Sequence, residues 1–446
     1  MSTVLLISPD FASHYYPLSA IGKELLLRGH RVVFGIGPGL APRALSDGFE
    51  TIEVRLGAGN NPGLMRTEDQ TATEESQLLD FYEASRHGLI STLTHQARHR
   101  LDDLLWEPLR VSASIERAVE LGPDVVVVDH LAYGATAALR GLGVDFISFH
   151  PGHPSAISAG MPYGMPKRIP ARFAVDQDRL AELSDLCARV AGEFTRRYNH
   201  VVGQLDPTVP EVDDAFTASG RLTLVNYPSI LGSGYDLPVG TRFIGSAPRQ
   251  EAIPEELASR LAERSSKPRI YVSLGSFFSA RSDLLHKIVT AFRDESVELV
   301  LASGVTPIAD LGPIPSDWVV APAFPQPPVL EYCDLVVTHG GNNTVTEALT
   351  AGVPLLIGPL STDQFAGAAD IEDFGFGSVF DPNRDTAATV ANLTHHVLGG
   401  ETPMRAEALG EWLRSNSGPE IAADLIEGLA GRKTPGTLAA AAGQVS

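Results

Sequence analysis

Cysteine is nearly missing from this sequence: Cys187 and Cys333 are the only two in 446 residues. Two thiols cannot build a disulfide framework or a Cys-rich zinc site, so both read as small apolar packing residues. Basic residues are also in short supply, 34 Lys and Arg against 54 Asp and Glu, which leaves a net charge of −20. A field of that sign repels phosphate backbones and anionic lipid and argues against nucleic-acid and membrane-surface roles. No apolar run reaches the length of a membrane-spanning helix. The chain opens straight into an apolar stretch at residues 4–8, with no basic region or cleavage site before it. These absences together lead us to expect a protein of the reducing cytoplasm. No internal repeat of short period is found.

What is present describes a globular α/β protein. The hydrophobic share is 43% and the charged share 20%, and the length exceeds one ordinary core, so two domains are expected. Residues 4–8 read as a buried strand. A helix is predicted over 17–28, with Leu18, Ile21 and Leu25 on one face and Gly29 as its stop, and a second strand over 31–36. This β-α-β opening begins a doubly wound parallel sheet. Residues 57–77 are polar and poorly periodic, and read as a mobile loop. Residues 124–129 (Asp-Val-Val-Val-Val-Asp) and 145–149 are further buried strands. A second series of strands is predicted over 269–274, 298–303, 318–322, 335–339 and 354–359. The polar, proline-bearing segment 246–254 reads as the linker between the two series. The expected division is an N-terminal domain over 1–245, a C-terminal domain over 246–430 whose last helix returns to the first domain, and a frayed tail over 431–446. Two such sheets in series leave a cleft where their carboxyl ends face each other, and ligands bind at those ends.

The most informative stretch is Leu335-Val-Val-Thr-His339-Gly-Gly-Asn-Asn-Thr344-Val-Thr-Glu347. It reads as strand, glycine turn and helix. A helix start presents unpaired N–H groups and the positive end of the dipole, a seat for a diphosphate. Gly340 and Gly341 let the backbone approach closely, and His339 is placed to donate to the same anion. The local sequence admits a second account: Thr344-x-x-Glu347 fits a capping box, and Asn342 or Asn343 would cap any helix. In the N-terminal half, His14 follows the first strand, just ahead of the predicted helix, and histidine suits a base working near neutral pH. Asp129 ends a strand, where it reads equally as a cap or as a partner for that histidine. His130 should alternate to the other face. His150-Pro-Gly-His153 has no carboxylate at ligand spacing, which favours an acceptor-pocket or loop role over metal. Tyr16 and Tyr133 are candidate acceptor walls or core residues.

The stretch from Phe324-Pro-Gln326 through His339-Gly-Gly-Asn-Asn343-Thr344 and Glu347 to Gly352-Val-Pro-Leu and Asp363-Gln364 resembles the donor-binding signature of the UDP-glycosyltransferase superfamily, family 1 of the GT-B fold. In type it is most similar to the bacterial enzymes that glycosylate natural products such as macrolide antibiotics. The resemblance implies two Rossmann-like domains facing across a cleft, and transfer of a sugar from a nucleoside diphosphate to a small lipophilic acceptor. It assigns His339, Gly341, Asn343 and Thr344 to the diphosphate, Glu347 to the ribose, Asp363 and Gln364 to sugar hydroxyls, Gln326 and Phe324 to the region of the base, and Gly275 and Ser276 to phosphate or sugar. Ala323 stands where many members carry a base-stacking tryptophan, and UDP and dTDP both remain open as the nucleotide. The run Ser13-His14-Tyr-Tyr-Pro17-Leu18 with Arg28-Gly29-His30 resembles the family's opening, which implies that His14 is the general base, oriented by Asp129 in an inverting transfer. The implied scheme uses the nucleotide sugar as co-substrate and neither cofactor nor protein-bound metal. Nucleic-acid and membrane partners are not expected, and a homodimer is compatible with all of this. A nucleotide-sugar epimerase and a non-catalytic binding homologue are the alternatives.

Overall fold

The computed structural model describes residues 1–57, 59, 61–65 and 72–430. The expected tail, and positions 58, 60 and 66–71 of the expected mobile loop, lie outside the described residues. The first sheet comprises β1 (Thr3–Ile7), β2 (Arg31–Ile36), β3 (Glu50–Glu53), β4 (Val125–Asp129), β5 (Ile147–His150), β6 (Leu222–Val225) and β7 (Thr241–Phe243). Its order is β3-β2-β1-β4-β5-β6-β7, and its strands pair in parallel. The second sheet holds β8 (Arg269–Ser273), β9 (Glu298–Ala302), β10 (Val319–Ala321), β11 (Leu335–Thr338), β12 (Leu355–Ile357) and β13 (Gly377–Val379). It runs in the order β10-β9-β8-β11-β12-β13, again in parallel. Both are doubly wound α/β sheets covered by helices. The valine run of β4 and the apolar runs of β8 and β11 are buried throughout, as strands covered on both faces must be.

Strand order reverses between β1 and β4 in the first sheet and between β8 and β11 in the second. Such switch points open a crevice at the strands' carboxyl ends. Ile7 pairs with Val128 and Ser273 pairs with Thr338, so the segments following each pair emerge side by side.

Two sequence expectations are corrected. The first helix runs over Ala12–Leu27 and not from Pro17, with Phe11 as its extended N-cap residue. Pro17 lies inside it; its fixed φ suits a helix, while its missing N–H and its ring leave the Ser13 carbonyl without a helical partner. His14 is therefore in the first helical turn and not in a loop. The second correction concerns residues 72–77. They open a helix, Ala72–Arg86, whose inward face, Leu78, Tyr82 and Ser85, starts only beyond the polar stretch. Four short strands, β3, β6, β7 and β13, and the 29-residue helix Gln177–Leu205 carry no clear signal in the sequence reading. Among the described residues no helix is long and apolar enough to cross a membrane.

The final described helix, Gly418–Ala430, crosses back to the first sheet's layer. Ala422, Ala423 and Ile426 share one core with Leu18, Ile21 and Leu25 of the first helix. Arg28 adds ion pairs to Asp424 at 2.6 Å and Glu427 at 3.0 Å. A Cβ on Gly418 would stand 2.2 Å from the Ser246 carbonyl, so only glycine lets the helix start this close to the connecting segment. Ile426→Ala is expected to lower unfolding stability by about 2–4 kcal/mol in urea titrations, through lost burial and a residual cavity. Leu27→Ala, at a position 82% exposed on the first helix, should change it by less than about 0.5 kcal/mol. Equal effects of the two would show that the returning helix adds nothing to the fold.

Candidate active site

A cavity of about 770 Å³ lies between the carboxyl ends of the two sheets and is lined by residues of both. The first helix brings His14 to its wall. From β4, Asp129 arrives fully buried, and its Oδ2 lies 2.8 Å from His14 Nδ1. A carboxylate only accepts, so Nδ1 carries the proton in this pair and Nε2 keeps the lone pair. The other oxygen, Oδ1, accepts from the Leu131 N–H at 2.9 Å. Turn cap and histidine partner, posed as alternatives by the sequence, are both made by this one side chain.

His130 does not alternate away. β4 ends at Asp129, so the two-residue period no longer applies, and the ring lines the cavity with its centroid 6.2 Å from that of His14. Burial holds its pKa well below the usual value, and the neighbouring His150 and His14 act in the same sense. His150 is buried too, with Nε2 2.9 Å from the His153 carbonyl, and burial again depresses its pKa. It lines the cavity beside Gly152. Tyr16 also reaches the cavity, with the guanidinium groups of Arg43 and Arg249 5.6 and 5.1 Å from its ring centre. Of the two readings of Tyr133 the core one holds and the acceptor wall does not. At the start of the helix Tyr133–Gly141, its ring packs edge-on against Phe194 and Phe216 in a separate apolar cluster, away from the residues that line the interdomain cavity.

Opposite this wall stands the helix Asn342–Ala351. Its N-cap residue is Gly341, and no side chain caps it. The capping-box account is thereby corrected, because Thr344 is the third helical residue and its hydroxyl meets Gln326. Asn342 and Asn343 are used elsewhere as well. The first donates to Asp363 Oδ2 at 2.9 Å. Asn343 reaches across the cleft to the Ser13 carbonyl at 2.9 Å. That carbonyl is free because its normal helical partner would be the N–H of residue 17, and Pro17 has none.

His339 stands at the end of β11, wedged between two glycines. A Cβ on Gly275 or on Gly341 would lie 2.6 Å from its ring, so these glycines make room for the imidazole itself. Burial pushes its pKa down to about 4, against a hydrogen bond to the Ser273 backbone and the charge of Asp363. The ring is neutral at neutral pH. Gly275 and Ser276 open a short helix after β8, and Ser276 Oγ accepts from Asn61 of the first domain at 2.8 Å. Phe324 lines the cavity with its ring edge-on to Tyr271.

Glu347 is 3% exposed and is already held. Arg249 Nε donates to its Oε1 at 3.0 Å and Arg249 Nη2 to its Oε2 at 3.3 Å; the Gln326 amide donates to Oε2 as well. Asp363 Oδ2 accepts from the His153 backbone N–H at 3.0 Å, a second bond between the domains. Gln364 turns inward, its Oε1 accepting from the Leu360 and Ser361 N–H groups, so it closes its own loop. Among the described residues no group of three His, Cys, Asp or Glu side chains is arranged to hold a metal ion. The sequence reading missed Arg249 and Asn61, and gave Asn342 only as a cap. A lone arginine in a linker and an asparagine in a loop have no periodicity or spacing to mark them.

Residues 286–427 match the model of the erythromycin biosynthesis protein CIII-like C-terminal domain. The demethyllactenocin mycarosyltransferase of Streptomyces fradiae is 28% identical over 438 residues, 94% of this chain and 84% of that one. The zeaxanthin glucosyltransferase of Pseudescherichia vulneris is 28% identical over 441 residues, 96% of this chain and 98% of that one. The solved structure of the kitacinnamycin glycosyltransferase superposes with a TM-score of 0.69 at 23% identity, covering 96% of this chain and 99% of that one. The glycine turn before an uncapped helix start, the facing parallel sheets and relatives matched over nearly their whole length agree on a glycosyltransferase of GT-B fold, similar to the family 1 enzymes that glycosylate natural products.

Proposed function

We propose that this enzyme transfers a sugar from a nucleoside diphosphate to a hydroxyl of a small lipophilic natural product, with inversion at the anomeric carbon. The observation that carries this reading is the 2.8 Å bond from His14 Nδ1 to buried Asp129, made at a cavity shared with an uncapped helix start. In the step proposed, the acceptor oxygen forms its bond to the anomeric carbon as its proton passes to His14 Nε2. The bond to the diphosphate breaks, and the leaving oxygen takes the electron pair. Asp129 holds the ring's tautomer and stabilises the imidazolium that results, as in other histidine–carboxylate pairs. Charge growing on the diphosphate faces the N–H groups of residues 341–344 and the His339 dipole, a preorganised electrostatic stabilisation. This scheme invokes no metal. Asp363 is proposed to meet a sugar hydroxyl and Ser276 the phosphate or sugar.

The acceptor half of the cavity is walled by Phe11, Leu78, Phe81, Trp106, Met161 and Met165, which favours an apolar molecule. Relatives named for demethyllactenocin and zeaxanthin support a natural product of that kind.

With a saturating nucleotide sugar and an accepted aglycone, His14→Ala is expected to lower kcat by about 10²–10⁴ while the Tm moves little. Asp129→Asn should also lower kcat strongly, because an amide N–H facing Nδ1 favours the wrong tautomer. A His14→Ala enzyme with undiminished turnover would remove the base from the scheme. The neutrality of His339 gives a second test, in stability. Its folded pKa of about 4 lies below the unfolded value of about 6.5, so the unfolded chain binds the extra proton. The stabilisation is complete above the unfolded pKa and is lost as pH falls toward 4. Measured against His339→Gln, wild-type stability should therefore drop by about 1–2 kcal/mol between pH 7 and pH 5. A difference that stays constant over this range would mean that the ring is not held neutral.

A further inference from the structure

The carboxylate assigned to the donor's ribose is already crowded before any donor arrives. Glu347 is reached by three N–H groups: Arg249 Nε on Oε1, Arg249 Nη2 on Oε2, and the Gln326 amide on Oε2. A carboxylate offers about four acceptor positions. Three are taken, and the one left is on Oε1. Access is limited as well, because Arg249, Gln326 and Thr344 line the cavity while Glu347 lies behind them at 3% exposure. Arg249 itself is well fixed. Its guanidinium lies 5.1 Å from the centre of the Tyr16 ring, and Glu251, 3.8 Å from its Nε, adds a second acidic neighbour.

We propose that Arg249 is a specificity-determining residue, which leaves Glu347 able to accept a single sugar hydroxyl and so selects a 2′-deoxyribonucleoside diphosphate donor over its ribonucleotide counterpart. The inference rests on the donor-site reading above. A ribose presents two neighbouring hydroxyls, and pairing both with Glu347 needs two acceptor positions. With Arg249 in place, the 2′-hydroxyl would enter a buried site with its proton unmet, which costs affinity. A 2′-deoxyribose presents only the 3′-hydroxyl and matches the one position left. The linker segment thus sets the nucleotide, although it lies outside the strand–glycine–helix motif that binds the diphosphate.

The test compares dUDP with UDP, which differ only in the 2′-hydroxyl, by isothermal titration calorimetry on the full-length protein. Wild type should bind dUDP about tenfold more tightly than UDP, the scale of one unmet hydrogen-bonding group. Arg249→Met, which opens one more acceptor position on each carboxylate oxygen while Gln326 stays on Oε2, should bring the two affinities within about threefold of each other. Arg249→Lys keeps the charge but presents no paired fork to the carboxylate, and should also narrow the ratio. The ratio is unaffected by partial unfolding of a variant, since both ligands meet the same folded fraction. Equal binding of the two nucleotides by wild type, or a ratio unchanged in both variants, overturns the role of Arg249 and leaves the donor site standing. Failure of wild type to bind either nucleotide at millimolar concentration overturns the donor-site reading and this inference with it.

Discussion

The parallel pairing of the two central strands in each sheet is the constraint on which the site depends. Parallel strands send their chains out at the same edge, so residues far apart in sequence must emerge as neighbours. Ile7 beside Val128 is what lets His14 reach Asp129 across 115 residues of chain. Ser273 beside Thr338 sets Gly275 against the His339 ring in the same way. A slip of one residue in either register would exchange the two faces of the strand and move Asp129 or His339 by one position along the crevice. The rigidity of the cores thereby becomes the positional accuracy of the chemistry.

Much of this was legible in the sequence, for a physical reason. Strands buried on both faces are continuous apolar runs, and β1, β2, β4, β8 and β11 could be read from composition alone. Edge strands carry no such signature. β3 reads Glu-Thr-Ile-Glu with both ends exposed, and β13 is three residues long. The residues of the cleft divide in the same way. Asp129 and His339 stand at the ends of apolar runs, and His14 in the helical turn that follows one, so the sequence marks all three as facing the strand ends. Arg249 and Asn61 lie in segments without regular structure, and only the folded arrangement reveals their partners. Tyr133, an aromatic residue next to a strand, is open in the sequence between acceptor wall and core, and only its packing against Phe194 and Phe216 decides for the core.

Pro17 is the most instructive misreading. A proline ahead of an apolar periodic run is a good helix-start signal, and it placed the start five residues too late. Inside the helix, the same proline leaves the Ser13 carbonyl without its i+4 donor. Asn343, at the start of the opposing helix, occupies that carbonyl from across the cleft. The residue that misled the boundary thus creates a docking point between the domains, next to His14. It also explains why Asn343 does not cap its own helix, whose first N–H groups remain free of any side-chain cap.

The interface between the domains is uneven, and the unevenness suits an enzyme that must admit two substrates. Along the edge around residues 225–235 the domains share one apolar core. Val225, Tyr227 and Leu231 of the first pack in the same cluster as Ala368, Ile371 and Val379 of the second. Asp370 of the second domain, 1% exposed, is held there by Arg168, by the Tyr235 hydroxyl at 2.6 Å and by His153 at 3.1 Å. Beside the cavity, Phe81 of the helix Ala72–Arg86 packs against the second domain's core, and Ser85 accepts from Arg281 and Asn383. Other contacts there are single polar bonds: Asn343 to Ser13, Asn61 to Ser276, and the His153 backbone to Asp363. A bond of this kind contributes about 1 kcal/mol net, since water replaces it on opening. Separating a shared core exposes apolar surface at about 25 cal/mol per Å², and removing a partner from a buried charge costs several kcal/mol more. The single polar bonds over the His14–Asp129 pair are therefore the interdomain contacts that part most easily, while the 225–235 edge and the helix Ala72–Arg86 hold the two domains together on either side of them.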